Sequence, residues 1–236
     1  MKIRIKFSKT GCVKFMGHLD VMHYFQKAMR RAKVDIKYSE GYSPHQIMSF
    51  ASPLSLGHTT SGDYFDIEVH STGTSDEMIK RLNDVMVEGF EVLSYRKLPD
   101  DSKAAMSLVA ACDYEVSFRE GYEPADFEAF KKDFTLFLSQ SEINVVKQTK
   151  KSERLVDIKP LIYKFNIKDK TIFMQLASGS IENLKPELVV KAFFDYKQSE
   201  LSQFALLIHR TQMYADAGDE EHRVLIALED LGEDIL

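Results

Sequence analysis

Residues 17–57 read GHLDVMHYFQKAMRRAKVDIKYSEGYSPHQIMSFASPLSLG. The first part predicts a helix that starts near His18 to Asp20. Leu19, Met22, Phe25, Met29 and Ala32 recur at three- or four-residue steps, so they form its inner stripe. Lys27, Arg30, Arg31 and Lys33 fall on the remaining faces. Extended segments are expected at 36–38 and 46–50. Between them runs a loop of glycine, tyrosine, proline and histidine, a density of rings and donors that marks a binding surface rather than a plain connection.

Outward from this stretch, the rest of the first half falls into place. Residues 2–7 alternate, with Ile3, Ile5 and Phe7 on one face, which predicts a strand with one buried side. Residues 64–69 alternate in the same way. Ser75 is expected as the N-cap of a second helix, with Asp76 and Glu77 favoured by the helix dipole and Met78, Ile79, Leu82, Val85 and Met86 as its stripe. Residues 90–95 close the half as a strand. The order strand, helix, strand, strand, helix, strand is the split βαβ pattern. Residues 99–107 read as a linker.

The same order then recurs. A strand is expected at 113–118, followed by a helix at 125–138 with Phe127, Phe130, Phe134, Phe137 and Leu138 inside. Short extended pieces follow at 143–147 and 155–158. A hairpin of 163–167 with 171–176 turns at Asp169 and Lys170, Pro186 opens a helix running to Tyr196, and 204–210 is the closing strand. The predicted fold class is therefore α+β, with two tandem ferredoxin-like halves and antiparallel sheets. Their expected bounds are 1–100 and 108–215, followed by an acidic tail at 216–236.

Charge divides along the chain. Residues 1–60 hold ten Lys and Arg against three Asp and Glu, although the whole chain has a formal net charge of −5. Residues 216–236 hold eight acidic residues and one arginine. An anionic partner is expected at the amino-terminal end. The tail is either a solvated run or a cover for the basic face. Cys12 and Cys112 are the only cysteines, and no Cys-x-x-Cys pair exists. A zinc or iron–sulfur site built by this chain alone is thereby disfavoured, and no cofactor is expected in it. No apolar run is long enough to span a bilayer, and the N-terminus lacks the apolar centre of a signal peptide. The expected location is cytoplasmic, with no membrane partner.

Candidate site residues follow from side-chain chemistry. Lys6, Lys9, Lys27, Arg30 and Arg31 are candidates for phosphate contacts, the arginines through their planar donor forks. Tyr38 and Tyr42 can stack on bases, while Ser39 and His45 can hydrogen-bond base edges or phosphates, as in single-strand recognition. His18 and Asp20, at the helix start, either cap it or help hold an anion. His18 and His45 are also the candidate catalytic pair for metal-independent RNA cleavage. No phosphate-binding glycine loop, nucleophile elbow or His-x-x-x-His helix is present, and no metal site is expected.

The first half carries Arg4-x-Lys6-Phe7-x-Lys9-x-Gly11, Phe15-x-Gly17-His18-Leu19-Asp20, Arg30-Arg31-Ala32, Tyr38-Ser39-x-Gly41-Tyr42-x-Pro44-His45 and Phe50-Ala51-x-Pro53-Leu54-x-Leu56-Gly57. The second half adds Asp157-Ile158-Lys159-Pro160 and Asn183-Leu184-Lys185-Pro186-Glu187. In these motifs the chain resembles the radical SAM-linked protein family, a domain of unknown function. Members are similar in being fused to, or encoded beside, cobalamin-binding radical-SAM proteins. The resemblance implies a radical-SAM partner carrying S-adenosylmethionine, an iron–sulfur cluster and cobalamin. It supplies no catalytic residues. An analogy of fold alone extends to the tandem ferredoxin-like proteins that process CRISPR repeats. The combined expectation is an accessory RNA-binding protein acting with a radical-SAM enzyme on tRNA or rRNA. The alternatives are an endoribonuclease-like enzyme using His18 and His45, and a pure docking module for the partner.

Overall fold

The computed structural model describes residues 1–148, 153–180, 182–219 and 222–236. It is an α+β protein with mostly antiparallel strand pairing. Met1–Cys112 together with His209–Leu236 form one compact unit, and Asp113–Ile208 form a second.

In the first unit the elements run β1 (Lys2–Lys9), α1 (His18–Arg31), β2 (Met48–Phe50), β3 (Thr59–Glu68), α2 (Ser75–Asn83), β4 (Phe90–Leu98) and α3 (Ala105–Leu108). β1 lies between β3 and β4, antiparallel to both, and β2 pairs antiparallel with the far side of β3. Ile3, Ile5, Phe7, Phe65, Ile67 and Val92 meet the inner faces of both helices in one core. Phe7, Phe25 and Phe65 form its aromatic centre, with Phe25 4.7 Å from each of the other two rings. Such pairs contribute about 0.5–1.5 kcal/mol each beyond area burial.

The buried stripe of α1 is Val21, Phe25, Ala28 and Met29. Leu19, expected inside, is 64% exposed. It precedes Val21 by two residues, which at the helical period places it on the opposite side. The second helix is capped by Thr74 rather than Ser75, through a reciprocal capping box with Glu77, an arrangement that satisfies two otherwise orphaned amides. Ser75 is instead buried. It donates to the Tyr95 carbonyl at 2.6 Å and accepts from the Ile235 amide at 2.8 Å.

That last bond belongs to the C-terminal segment. The chain returns through β10 (Leu206–Asp216), then β11 (Leu225–Ala227), a 3₁₀ turn at Leu228–Leu231 and β12 (Glu233–Asp234). β12 pairs with β4, and β11 pairs with β10. Leu228 is wholly buried. The described part of the acidic stretch is therefore built into the first unit, while Glu220 and Glu221 lie outside the described residues. This placement explains why β1 is covered on both faces rather than one. Arg4, 1% exposed, donates from Nη1 to the Leu228 carbonyl and pairs bidentately with Asp66 at 2.8 and 2.9 Å.

The presumed linker is also folded. Lys2 Nζ donates to the Ser102 carbonyl at 2.9 Å, and the Ala105 amide donates to Asp66 at 2.8 Å. Gly62 sits where β3 runs against β10. A Cβ there would collide with the Thr211 carbonyl.

The second unit begins within β5 (Val109–Phe118) and contains α4 (Phe127–Leu138), β6 (Asn144–Gln148), β7 (Glu153–Asp157), β8 (Ile162–Lys168), β9 (Thr171–Ala177) and α5 (Pro186–Tyr196). Within it, β9 lies between β5 and β8 and pairs antiparallel with β8. The β6–β7 hairpin forms a separate two-stranded sheet. Asp169 adopts φ 53° at the β8–β9 turn, the left-handed conformation that short hairpin turns need. Phe130, Phe134 and Phe193 join α4 to α5, with Phe134 and Phe193 at 5.0 Å.

Candidate nucleic-acid interface

Residues 37–47 form a small hairpin at the open side of β3. Lys37 donates to the Glu68 carbonyl, Ile47 donates to the Lys37 carbonyl, and Tyr38 bridges Gln46. The tip is closed by Ser39 and His45. The Ser39 amide donates to the His45 carbonyl at 2.8 Å, and the His45 amide donates to Ser39 Oγ at 3.1 Å. Ser39 Oγ also meets His45 Nδ1 at 2.9 Å. Gly41 at φ 110° turns the tip, a conformation open to glycine. Tyr42 stands fully exposed and Tyr38 about half exposed.

Gln46 ties this hairpin to α1. Its Nε2 donates to the Gln26 carbonyl at 3.1 Å and to Tyr38 Oη at 3.5 Å. Arg30 is one helical turn beyond Gln26 and so shares its face. Lys27, Arg30 and Arg31 are all exposed, and among the described residues none of them has a carboxylate partner. Arg31 rests over the Tyr24 ring at 5.6 Å, a favourable cation–π contact. Arg81 donates to the carbonyls of Ala32 and Lys33 at the end of the helix, which adds a further positive charge where the helix dipole is negative.

The structure does not bring every expected residue to this surface. Lys6 Nζ is 2.6 Å from Glu229 Oε1 and 5.9 Å from the centre of the Tyr64 ring. Its charge is spent on the C-terminal turn. Lys9 is 2% exposed and donates to the Met16 carbonyl at 3.0 Å. Burial holds its ammonium below the ordinary lysine range; Asp63 opposes the shift and Arg210 adds to it. Neither lysine presents its charge to a phosphate, so the expected phosphate track contracts to Lys27, Arg30 and Arg31. Arg4 and Lys37 are likewise paired, with Asp66 and Glu68.

The two candidate catalytic histidines are also kept apart. His18 is the first residue of α1 and meets the Phe50 ring edge-on at 5.5 Å. The helix cap is Gly17, and no side chain caps it. His45 lies at the other end of the extended run 46–50, which spans roughly 15 Å. Among the described residues, no group of three or more His, Cys, Asp or Glu is gathered as a metal ion would require. No helix among them is long and apolar enough to cross a membrane.

Beside the hairpin opens a cleft of about 520 Å³. Ser39, His45 and Gln46 line it together with Met48 and the 98–104 segment. Gln46 and the 98–104 wall carry no signal in the sequence. The former is one polar residue in a mixed run, and the latter lacks periodicity. A second cleft of about 710 Å³ lies in the other unit among α4, β6 and α5. It holds none of the candidate site residues.

No curated protein matches the chain. Among solved structures, the chain is similar to one in a Cbf5-Nop10-Gar1 complex, at 10% identity and a TM-score of 0.46. The likeness covers 89% of this chain and 48% of that one, so this chain spans about half of that chain's length. A family model described as "Uncharacterized protein conserved in bacteria (DUF2344)" matches residues 2–186. The chain therefore belongs to the uncharacterized bacterial family DUF2344.

Proposed function

We propose that this protein binds single-stranded RNA through the first unit and serves as an accessory to a radical-SAM enzyme that modifies tRNA or rRNA. One observation carries the RNA reading. A fully exposed tyrosine, Tyr42, sits on a hairpin that Gln46 pins to α1, whose exposed Lys27, Arg30 and Arg31 have no carboxylate partner among the described residues. Bases stack on exposed rings while phosphates follow the cationic track, which is how single strands are held without groove geometry. Tyr38, Tyr42, Ser39 and His45 face the bases, and Lys27, Arg30 and Arg31 face the backbone.

The neighbour order β4-β1-β3-β2 supports reading the first half as ferredoxin-like, and the order β5-β9-β8 in the second unit agrees with a second such half. The radical-SAM partner rests on the family resemblance, and it would bring S-adenosylmethionine, the iron–sulfur cluster and cobalamin. A docking face for such a partner is available at the start of α1. Phe15, Leu19 and Leu56 are exposed there, and the Gly57 amide donates to the Lys14 carbonyl. Exposed apolar groups gathered in this way suit a protein contact. A His18–His45 cleavage pair is not proposed, because the two rings sit at opposite ends of an extended segment.

Fluorescence anisotropy with a labelled single-stranded RNA at two salt concentrations tests the reading. Binding at low salt that weakens as salt rises, and that drops about tenfold in Tyr42→Ala, is the expected result. Absent binding at low salt, or binding indifferent to salt, contradicts it.

A further inference from the structure

The cleft of about 710 Å³ in the second unit is a groove between a strand edge and a helix side. Its strand wall is the run 142–146 without a gap. Its helix wall includes Leu188, Ala192 and Tyr196, which recur every four residues along one face of α5. No described residue of β7 lines it, so the groove follows the edge of β6 that faces away from its partner strand.

The ladder shows what that edge offers. The Ile158 amide donates to the Ile143 carbonyl at 2.8 Å, and Asn144 stands opposite Asp157 in an antiparallel register. Bonded and non-bonded pairs alternate in such a ladder. The bonded pairs are therefore Ile143 with Ile158 and Val145 with Val156. The amides and carbonyls of Asn144 and Val146 point away from β7, toward the groove. The β6–β7 sheet has only these two strands, and no other described residue takes up those groups. An edge of this kind is a template for another strand unless charge, proline or a bulge blocks it. None of these stands at 144–146.

The walls select what can lie there. Phe137, Ile143, Val145, Leu188 and Ala192 make the lining apolar, and Val146 and Tyr196 are exposed at its lip. From Leu188 to Tyr196 the helix rises about 12 Å, room for about four extended residues. Lys191 and Asp195 on the rim neutralise each other at 2.7 Å. Glu142 is exposed and has no cationic partner among the described residues, so the rim is left with a negative charge.

We infer that this groove docks an extended peptide segment of a partner protein, which adds a third strand to β6. The backbone of the peptide exchanges hydrogen bonds with Asn144 and Val146. Its alternate side chains enter between β6 and α5 and are apolar, and a lysine or arginine meets Glu142. In this mode main-chain bonds supply affinity, and the pockets for alternate side chains supply specificity. The groove lies in the second unit and does not rest on the RNA reading.

The test is a random decapeptide library displayed on phage and panned on the full chain, with the selected peptides synthesised and titrated by fluorescence anisotropy. Selected sequences should alternate apolar residues and carry a lysine or arginine toward one end. Val146→Pro is the decisive variant. Proline is tolerated on an edge strand where the N–H faces outward, so this variant should melt like wild type. Its peptide affinity should fall about tenfold or more, because the donor is lost and the ring obstructs the incoming strand. Val146→Thr keeps the amide and should bind like wild type. Glu142→Lys should weaken binding about threefold or more. Failure to select any peptide, or equal binding by Val146→Pro and wild type, overturns the inference. So does an unfolded Val146→Pro, which would show that the hairpin itself uses that amide. Light scattering over a range of protein concentrations should find a monomer. A dimer that Val146→Pro dissociates would give the edge to a second copy of the chain and overturn the peptide assignment.

Discussion

Gln46 donates to the carbonyl of Gln26 across 3.1 Å, a bond between residues twenty positions apart that holds the 37–47 hairpin against α1. Backbone bonds between Lys37, Ile47 and Glu68 fix the base of the hairpin to β3, and the Gln46 bond adds the tie to the helix that carries Arg30. Gln46→Ala removes this bond and the one to Tyr38, and is expected to lower stability by about 1 kcal/mol. It should also speed amide exchange across 38–46 and weaken RNA binding. A denaturant titration with hydrogen-exchange mass spectrometry measures both effects. Unchanged exchange in the hairpin would show that something else holds it.

The C-terminal turn is expected to make the protein sensitive to acid through Glu229. Burial pushes the Glu229 carboxyl up, but the bond and charge of Lys6, helped by Gln212, hold it below its ordinary value of 4.5. A depressed carboxylate adds stability that is fully present above the unfolded-state value and is lost as pH falls through the folded-state one. Glu229→Gln should therefore cost about 1–3 kcal/mol at pH 7. The difference from wild type should close as the solution is acidified below pH 4.5. Chemical unfolding at several pH values gives the curve, and a constant gap at all pH values would exclude the ion pair as its cause.

At the alkaline end the sign reverses. Burial, with Glu229 nearby, raises the Tyr64 phenol far above its ordinary value of 10.0, against the opposing bond to Gln212. The unfolded chain loses this proton near pH 10 while the folded protein keeps it. Stability is therefore whole below pH 10 and is lost above it. Tyr64→Phe should lower stability by about 1 kcal/mol at pH 7 and flatten the alkaline decline. Tyr95, raised by its own burial, leaves a residual slope in that variant. Melting curves between neutral and alkaline pH provide the check.

Gly62→Ala tests the close approach of β3 to β10. The added Cβ meets backbone at Thr211, which cannot yield as a flexible side chain would. A loss of about 3 kcal/mol or more, or failure to accumulate folded protein, is expected. A variant that melts like wild type would contradict the packing of these two strands.

Local pattern carried much of the fold. The alternation of Ile3, Ile5 and Phe7, the phenylalanines of α4 and the Asp169 turn each depend on neighbours a few residues away, and each reads directly from the chain. What failed to read depends on distance. Lys6 finds Glu229 223 residues later, and nothing near Lys6 announces that partner. An excess of positive charge in 1–60 therefore looked like one surface, although part of it is consumed inside the first unit. Lys9 falls in step with Ile3, Ile5 and Phe7, so alternation alone turns it inward, yet its charge marked it as a surface residue, and it is buried. Leu19 fitted one helical stripe and Val21 another, and only the packing against Phe65 and Phe7 distinguishes them. At the site, Tyr42, Arg30 and Arg31 were legible from residue type. The Gln46 tether and the 98–104 wall of the cleft were not, since one polar residue and one aperiodic segment leave no pattern.

The most direct test of the interface compares two charge reversals that are equal on paper and different in space. Lys27→Glu with Arg30→Glu alters the exposed track, whereas Lys6→Glu with Arg96→Glu alters cations that face Glu229, Asp230 and Asp234. Anisotropy titrations of single-stranded RNA over a range of salt should show the first pair losing affinity about tenfold or more, with a salt slope shallower by about 1.4, or roughly 0.7 for each phosphate contact removed. The second pair should lose thermal stability, and the fraction that remains folded should keep the wild-type salt slope. Equal losses of affinity in the two double variants, or a wild-type slope in the first, would contradict the assignment of RNA binding to α1 and its hairpin.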